Sequence, residues 1–212
     1  MKQAYFTSKT IEVQTKQFLD QLERRKPLDL GSRKTALLGL DLQDYFLNPD
    51  SHAFVPSAPA IIPNVNALTR AFQAASFPLL FTQHLNQPEN AGMMAEWWRD
   101  LISPEHPLAG FSEDLELEGA PVIQKTQYDA FYKTDLADRL SADGVEDLVV
   151  CGVMTHLCCE TTARAAFVRG FRVWFTVDGT ASYNAEYHLG ALRGLSHGFA
   201  TPVLTSEVLA AL

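Results

Sequence analysis

The sequence of 212 residues is poor in cysteine, and its three cysteines all fall between positions 151 and 159. Three cysteines so close together do not form the disulfide framework of a secreted protein. We therefore expect a reducing compartment, by default the cytoplasm. A CxxC pair and the usual His/Cys spacing of a structural metal site are also absent. A disulfide scaffold and a zinc module are therefore both disfavoured.

Long apolar runs and an excess of positive charge are missing as well. No run approaches the roughly 18 residues of a membrane span, and the N-terminus lacks the apolar core of a secretory signal. The 17 Lys and Arg residues against 25 Asp and Glu residues give a net charge of -8, which disfavours non-specific nucleic-acid binding. We therefore expect no membrane and no nucleic-acid partner, and the composition favours a soluble, acidic enzyme or a partner-binding domain.

Apolar runs that alternate with helix-like segments predict a single α/β domain. Each run is short and continuous, as in strands buried on both faces of a parallel sheet. Residues 1–34 are interpreted as an N-terminal arm or helix, and residues 35–212 as the domain. Within the arm, residues 11–22 would pack as a helix on a neighbouring subunit or on their own domain. The predicted strands are residues 36–40, 78–82, 121–124, 148–151, 172–177 and 201–204.

Three reactive side chains follow predicted strands, namely Asp41, Lys125 and Cys158. Taken singly, each has a plain structural explanation: a turn cap, a solvated surface charge and a small buried hydrophobe. Ligands of parallel sheets, however, collect beyond the carboxyl ends of the strands, where all three would meet. At a strand-to-helix turn the pKa of the Cys158 thiol should fall. Asp41 would then act as its base, with Lys125 holding both anions and backbone N–H groups of residues 154–158 forming an oxyanion site.

Three segments give these residues a specific context. Residues 40–46 read LDLQDYF, residues 125–131 read KTQYDAF and residues 152–158 read GVMTHLC. In this order they resemble the aspartate, lysine and nucleophile motifs of the isochorismatase-like cysteine hydrolase family, and the resemblance covers residues 35–208. Many members have serine at the position of Asp129.

The resemblance implies a three-layer Rossmann-like fold with a six-stranded, mainly parallel sheet. It also implies a catalytic triad of Asp41, Lys125 and Cys158, with backbone N–H groups of Met154 and Cys158 at the oxyanion site. A cis peptide between Val153 and Met154 is a further expectation. No cofactor is expected.

Two departures from the family pattern bear on the reaction. Isochorismatases have glycine at the position of Cys158 and an arginine in the loop after the second strand, near residues 91–94 of this chain. Both differences favour the thiol-using branch, which hydrolyses amide, carbamoyl and related C–N bonds through a thioester-type intermediate. The alternatives are vinyl-ether hydrolysis with Asp41 as general acid, and a non-catalytic or thiol-redox relative.

The resemblance also bears on metal binding, because nicotinamidases of the family carry an Asp-x-His metal motif after the second strand. The corresponding residues 82–86 of this chain read TQHLN. The pair is missing, so no bound metal is expected, and His84 either contacts the substrate or caps the strand. Cys159 is expected to be buried rather than to serve as the nucleophile.

Substrate contacts are predicted for a set of mostly aromatic residues, and subunit contacts for two irregular segments. The loop over residues 87–119 and the N-terminal arm are the candidates for a homodimer or homotetramer interface. The predicted substrate-binding residues are Phe46, His84, Tyr128, Phe131 and Met154.

Overall fold

The computed structural model describes residues 1–30, 34–117 and 119–212. Across these residues the chain forms one six-stranded sheet in the order β3-β2-β1-β4-β5-β6, and every pair of neighbouring strands is parallel. The predicted α/β domain with a mainly parallel sheet is therefore confirmed. The strands are β1 (Thr35–Leu40), β2 (Leu79–His84), β3 (Val122–Lys125), β4 (Asp147–Val153), β5 (Arg172–Ala181) and β6 (Thr201–Val203).

Helices cover both faces of the sheet and give the three layers. One face packs on α3 and α9, and the other packs on α6, α7 and α8. The helices are α1 (Ile11–Leu19), α2 (Asp44–Leu47), α3 (Ala58–Ala74), α4 (Pro88–Ala91), α5 (Met94–Trp97), α6 (Leu136–Ala142), α7 (Glu160–Val168), α8 (Ala185–Gly198) and α9 (Thr205–Ala211).

The two central strands β1 and β4 are buried along their whole length. Because successive strand residues point to opposite faces, Leu37 packs in one core and Leu38 in the other. This double burial explains why the strands are continuously apolar rather than alternating. The apolar run ends where the strand leaves the core, and polar residues such as Asp41 follow at that point.

Close contact between β1 and β4 depends on Gly152. Its φ of +119° is unfavourable for other residues, and a Cβ added there would lie 2.1 Å from the carbonyl oxygen of Leu40. The glycine thus lets the strand that leads to Cys158 run against the strand that leads to Asp41.

Strand β5 differs from its predicted bounds, because it continues past Asp178 to Ala181. Val150 pairs with Phe175 but Gly152 pairs with Thr180, so β5 contains a bulge and then resumes pairing. The Asp178 carboxylate accepts hydrogen bonds from the backbone N–H and the hydroxyl of Thr205, at 2.7 and 2.9 Å. It therefore holds the start of α9 instead of ending the strand.

The described residues before β1 pack on their own domain. Phe6 and Leu30 are each 1% exposed and belong to the core that α3 covers. Helix α1 also contacts β5. No described helix has the length and apolarity needed to cross a membrane.

Candidate active site

Lys125, the last residue of β3, lies at the centre of a buried polar cluster. Its Nζ is 2.7 Å from Asp41 Oδ2, 2.8 Å from the Gln127 carbonyl oxygen, 3.2 Å from His84 Nδ1 and 3.4 Å from Cys158 Sγ. An ammonium carries only three hydrogens for these four acceptors. The structure therefore brings the three sequence-predicted residues together, with Lys125 touching both of the others.

Asp41 follows β1 directly and is fully buried. Its φ of 52° lies in the left-handed region, which aspartate tolerates better than most residues. Its Oδ1 accepts a hydrogen bond from Thr82 Oγ1 at 2.7 Å, while Oδ2 faces Lys125. Burial opposes the charge on Lys125, but the carboxylate of Asp41 and the sulfur of Cys158 more than offset it, so the pKa of Lys125 is raised.

His84, the last residue of β2, is held in one tautomer by its neighbours. Asn86 Nδ2 donates to the carbonyl oxygen of Thr126 at 2.7 Å, so its Oδ1 is the atom that faces His84 Nε2 at 2.9 Å. Nε2 therefore carries the proton, and Nδ1 is an acceptor for Lys125. Burial and the neighbouring ammonium lower the pKa of His84 to about 4, so the ring is neutral at neutral pH.

Cys158 lies in a π-helical turn, Thr155–Cys159, between β4 and α7. The peptide between Val153 and Met154 is cis, as the resemblance implies. Cys158 is 5% exposed and borders a cavity, whereas Cys159 and Cys151 are fully buried. Of the three thiols, only Cys158 combines contact with Lys125 and access to the cavity.

The expected low pKa of the Cys158 thiol is wrong. Burial and the nearby Asp41 carboxylate raise its pKa, and Lys125 offsets only part of that increase. The helix-start argument fails because the thiol sits within a tight buried turn, not at the exposed first turn of a helix. The resting pair is therefore a neutral thiol beside a carboxylate.

A metal ion does not fit among these residues. One possible ligand atom from each of Asp41, His84 and Cys158 lies within 4.8 Å of the others. The ammonium of Lys125 stands within 3.4 Å of each of these side chains, so a cation between them would meet a positive charge at close range. The ammonium of Lys125 thus occupies the position that a bound cation would need.

The cavity beside Cys158 encloses about 190 Å³. Its wall is mainly apolar and aromatic, and its polar atoms come from a few side chains. This volume is comparable to the roughly 150 Å³ of an engineered cavity that accepts benzene. The aromatic side chains in the wall are Tyr45, Phe46, Trp98, Tyr128 and Tyr183.

Most of the predicted substrate-binding residues border this cavity. Phe46, His84, Tyr128 and Met154 line it. Phe131 lies elsewhere: it packs in the core under α6 and α7, and its ring stacks on Phe171 at a centroid distance of 5.9 Å. A turn separates Phe131 from Tyr128, which directs the two rings to different sides.

Several wall residues were missed by sequence reasoning. The hydroxyl of Tyr45 donates to the carboxylate of Asp100, and His52 Nε2 lies 3.2 Å from the same oxygen. Arg99 also lines the cavity, although the sequence comparison placed no arginine near residues 91–94. Tyr45 lies in α2, whereas His52, Arg99 and Asp100 lie in irregular segments with no spacing pattern. For Arg99 and Asp100 the length of the loop over 87–119 was the only signal.

Comparison with known proteins places this architecture in a family. The Isochorismatase domain matches residues 35–207. The chain belongs to the isochorismatase family of hydrolases. The matched region includes Asp41, Lys125 and Cys158, and it begins at residue 35, the start of β1.

Family relatives with different activities resemble the chain. It is 38% identical to Nicotinamidase 3 of Arabidopsis thaliana over 182 residues, covering 81% of this chain and 85% of the relative. It is 27% identical to Enterobactin synthase component B of Escherichia coli strain K12 over 183 residues, covering 84% and 64%. A cysteine hydrolase structure from Pseudomonas syringae pv. phaseolicola 1448A superposes with a TM-score of 0.82 at 24% identity, covering 88% of this chain and 97% of that one. This last likeness concerns the fold alone.

Proposed function

We propose that the chain is a cysteine hydrolase that cleaves an amide, carbamoyl or related C–N bond of a small molecule. The observation that carries this proposal is the contact of Lys125 Nζ with both Asp41 and Cys158 at the edge of the aromatic cavity. A nucleophile, a base and a cation lie within contact distance of each other, which is the set that acyl transfer requires.

In the first half of the reaction, the thiol proton passes to Asp41 as Sγ attacks the carbonyl carbon. A C–S bond forms, and the carbonyl oxygen becomes an oxyanion that backbone N–H groups of Met154 and Cys158 would stabilise. Asp41 then returns the proton to the nitrogen as the C–N bond breaks, and ammonia or an amine leaves. Because the pKa of the free thiol is raised, attack and proton transfer are expected to occur together.

In the second half, water resolves the thioester-type intermediate. Asp41 accepts a proton from the water as its oxygen attacks the acyl carbon, and the C–S bond then breaks. The sulfur recovers the proton, and a carboxylic or carbamic acid leaves. The net reaction consumes one water and restores the enzyme.

The cavity favours a compact substrate with a planar or aromatic group. Its volume of about 190 Å³ and its aromatic wall suit one ring with a short polar arm. The likeness to a nicotinamidase supports testing carboxamides on an aromatic ring first. Lys125 would stay in the buried cluster and stabilise the charges that develop there.

The direct test is a panel of nicotinamide, N-carbamoyl amino acids and aliphatic amides, assayed by release of ammonia. Intact-mass spectrometry of the rapidly quenched protein should reveal an acyl adduct on Cys158 for any accepted compound. The Cys158→Ala variant should lose both signals. Undiminished turnover in that variant would contradict the proposed nucleophile.

A second candidate is vinyl-ether hydrolysis with Asp41 as general acid. Arg99 in the cavity wall favours it, because a guanidinium there would pair with a substrate carboxylate, and Enterobactin synthase component B is a relative. The discriminating measurement is isochorismate hydrolysis by Cys158→Gly, which this candidate requires to persist. Absence of turnover on every compound would instead favour a non-catalytic or thiol-redox relative.

A further inference from the structure

Residues 1–6, here called the N-terminal segment, touch two separate parts of the cavity wall. Neither α1 nor any strand includes these residues, and they lie outside the 35–207 range that matches the family. Even so, Tyr5 and Phe6 are 9% and 1% exposed. Residues 1–4 are exposed, so the burial of Tyr5 and Phe6 depends on a specific set of contacts made by this short segment.

The first set of contacts is with residues 182–184, which follow β5 and include the wall residue Tyr183. The backbone N–H of Gln3 donates to the Tyr183 carbonyl oxygen at 2.8 Å. The backbone N–H of Ser182 donates to the Tyr5 hydroxyl at 2.9 Å. Asn184 Nδ2 donates to the Met1 carbonyl oxygen at 3.1 Å. Three successive residues of this wall are therefore bonded to the N-terminal segment.

The second set of contacts is with residues 52–57, which contribute His52 to the wall. The backbone N–H groups of Tyr5 and Phe6 both donate to Ser57 Oγ, at 2.9 and 3.0 Å, and Ser57 is fully buried. A hydroxyl that accepts two backbone donors in the core has no water to replace them. The segment is thus fixed to this side, because leaving these buried hydrogen-bonding groups unpaired would cost free energy.

Lys2 joins the two sides. Its Nζ lies 4.3 Å from the centre of the Tyr183 ring, a cation–π distance, and it also donates to the His52 carbonyl oxygen. Tyr183 and His52 both line the cavity. One ammonium therefore contacts a residue on each of the two wall segments.

We propose that the N-terminal segment is part of the substrate site, where Lys2 and Tyr5 are positioning residues that hold the Tyr183 and His52 walls at a fixed separation. In the contacts described for residues 1–6, the segment touches none of Asp41, Lys125 or Cys158. Tyr5 also pairs with Thr155 in the turn that carries Cys158, so Lys2 is the residue that acts on fit and not on the thiol. The inference uses the cavity of the proposed function, but its contacts exist whatever reaction takes place there.

The test compares Lys2→Met and Tyr5→Phe with Lys9→Met, which replaces an exposed lysine of the same region. The probe is N-phenyl iodoacetamide, whose ring needs the cavity and whose alkyl iodide reports on Cys158. Its concentration dependence gives an apparent dissociation constant and a limiting alkylation rate. Hydrogen exchange of peptides over residues 51–57 and 180–185 is measured on the same proteins.

We expect Lys2→Met and Tyr5→Phe to raise the apparent dissociation constant roughly three- to tenfold. The limiting rate of Lys2→Met should stay within about twofold of wild type, and exchange in both peptides should become faster in both variants. Lys9→Met should match wild type. Lys2→Met replaces an exposed side chain and should fold. If its apparent dissociation constant and its hydrogen exchange are both unchanged, the proposal is overturned.

Failure of the proposed nucleophile would look different. In that case wild-type Cys158 would show no saturable labelling, and hydrogen exchange alone would decide on the segment. Unchanged exchange over residues 180–185 in both variants would then refute it, and faster exchange would support it.

Discussion

The floor and the wall of the cavity are built in opposite ways. The floor consists of Asp41, Lys125 and Cys158, each placed by the end of a buried strand or by the turn that follows it, and each at most 5% exposed. The wall is supplied mostly by irregular segments and by short helices such as α2, and Arg99 and Asp100 within it are exposed. The sheet therefore positions the side chains of the floor, whereas segments outside the sheet supply most of the residues above it.

This division has a physical reason. The parallel strands β1, β3 and β4 all end at one edge of the sheet. Polar residues that follow them therefore lie close together, whatever the sequence of the connecting segments. The wall has no such constraint, and its geometry depends on contacts such as that of Tyr45 with Asp100. Relatives with one fold can therefore share a floor and differ in substrate.

The largest effect should separate two adjacent thiols. Cys158→Ala should slow turnover at least about 10³-fold, because the proposed covalent intermediate forms on the sulfur that this variant lacks. Cys159→Ala should change turnover much less, since that side chain lies in the core under α7. Iodoacetamide should alkylate Cys158 faster than Cys159 near neutral pH, as read by peptide mapping.

The same labelling tests the base. Asp41→Asn should slow alkylation of Cys158. The carboxylate raises the pKa of the thiol, but it is also the group positioned to accept the proton as the sulfur attacks, and loss of that acceptor should outweigh the lower pKa. Equal labelling of all three cysteines, or labelling of Cys158 that is indifferent to Asp41, would remove the basis for the assigned roles.

The next effect concerns stability. Lys125→Met leaves the fully buried Asp41 carboxylate without its counter-charge, which should lower the free energy of unfolding by about 3–5 kcal/mol. The control is Arg70→Met, which breaks an ion pair with Glu116 whose side chains are 55% and 40% exposed, and should cost about 0–1 kcal/mol. Urea unfolding at pH 7 measures both. Equal losses would mean that the buried pair is no more important to the fold than an exposed one.

The sequence predicts most of the fold and the residues of the floor, because both depend on which segments are buried. Continuous apolar runs located all six strands, and the residues after them gave Asp41 and Lys125. Sequence reasoning failed where a single backbone detail decides the outcome. The bulge in β5 carries that strand past Asp178, and the turn after Tyr128 sends Phe131 into the core.

The raised pKa of the Cys158 thiol was also missed from the sequence. The helix-start rule assumes an exposed first turn, but burial depends on tertiary packing that no local pattern contains. The wall residues His52, Arg99 and Asp100 were missed for a related reason, since exposed polar residues in loops look alike until the chain has folded. The homodimer or homotetramer contact stays a prediction, and Trp97, 75% exposed, is the residue of the loop to probe.

A smaller effect tests the support behind the floor. His188 is fully buried among Tyr5, Phe6 and Phe18, and its Nδ1 lies 2.9 Å from the hydroxyl of Thr155 in the nucleophile turn. Burial lowers its pKa from 6.5 to about 3. The fold therefore favours the neutral ring, and this stabilisation is complete above about pH 6.5 and is lost as the pH falls towards 3.

From pH 7 to pH 5 this histidine alone should cost roughly 2 kcal/mol of unfolding free energy. His188→Gln should lose that part of the pH dependence, whereas His197→Gln, at an exposed position, should keep it. Urea unfolding at the two pH values gives the comparison. A slope that His188→Gln leaves unchanged would show that other buried groups, and not this support, govern acid sensitivity.

The smallest effect distinguishes wall from core within one turn of chain. Tyr128→Phe removes the oxygen that accepts a 2.6 Å hydrogen bond from Trp98 Nε1, so the KM of an accepted substrate should rise about threefold with little change in stability. Phe131→Leu instead weakens the stacking on Phe171 and the contact with Arg169, which should cost about 1 kcal/mol of unfolding free energy and leave KM unchanged. Steady-state kinetics and urea unfolding of both variants give a two-by-two comparison. A rise in KM for Phe131→Leu would place its ring in the substrate site after all, because a core residue three positions away should change only stability.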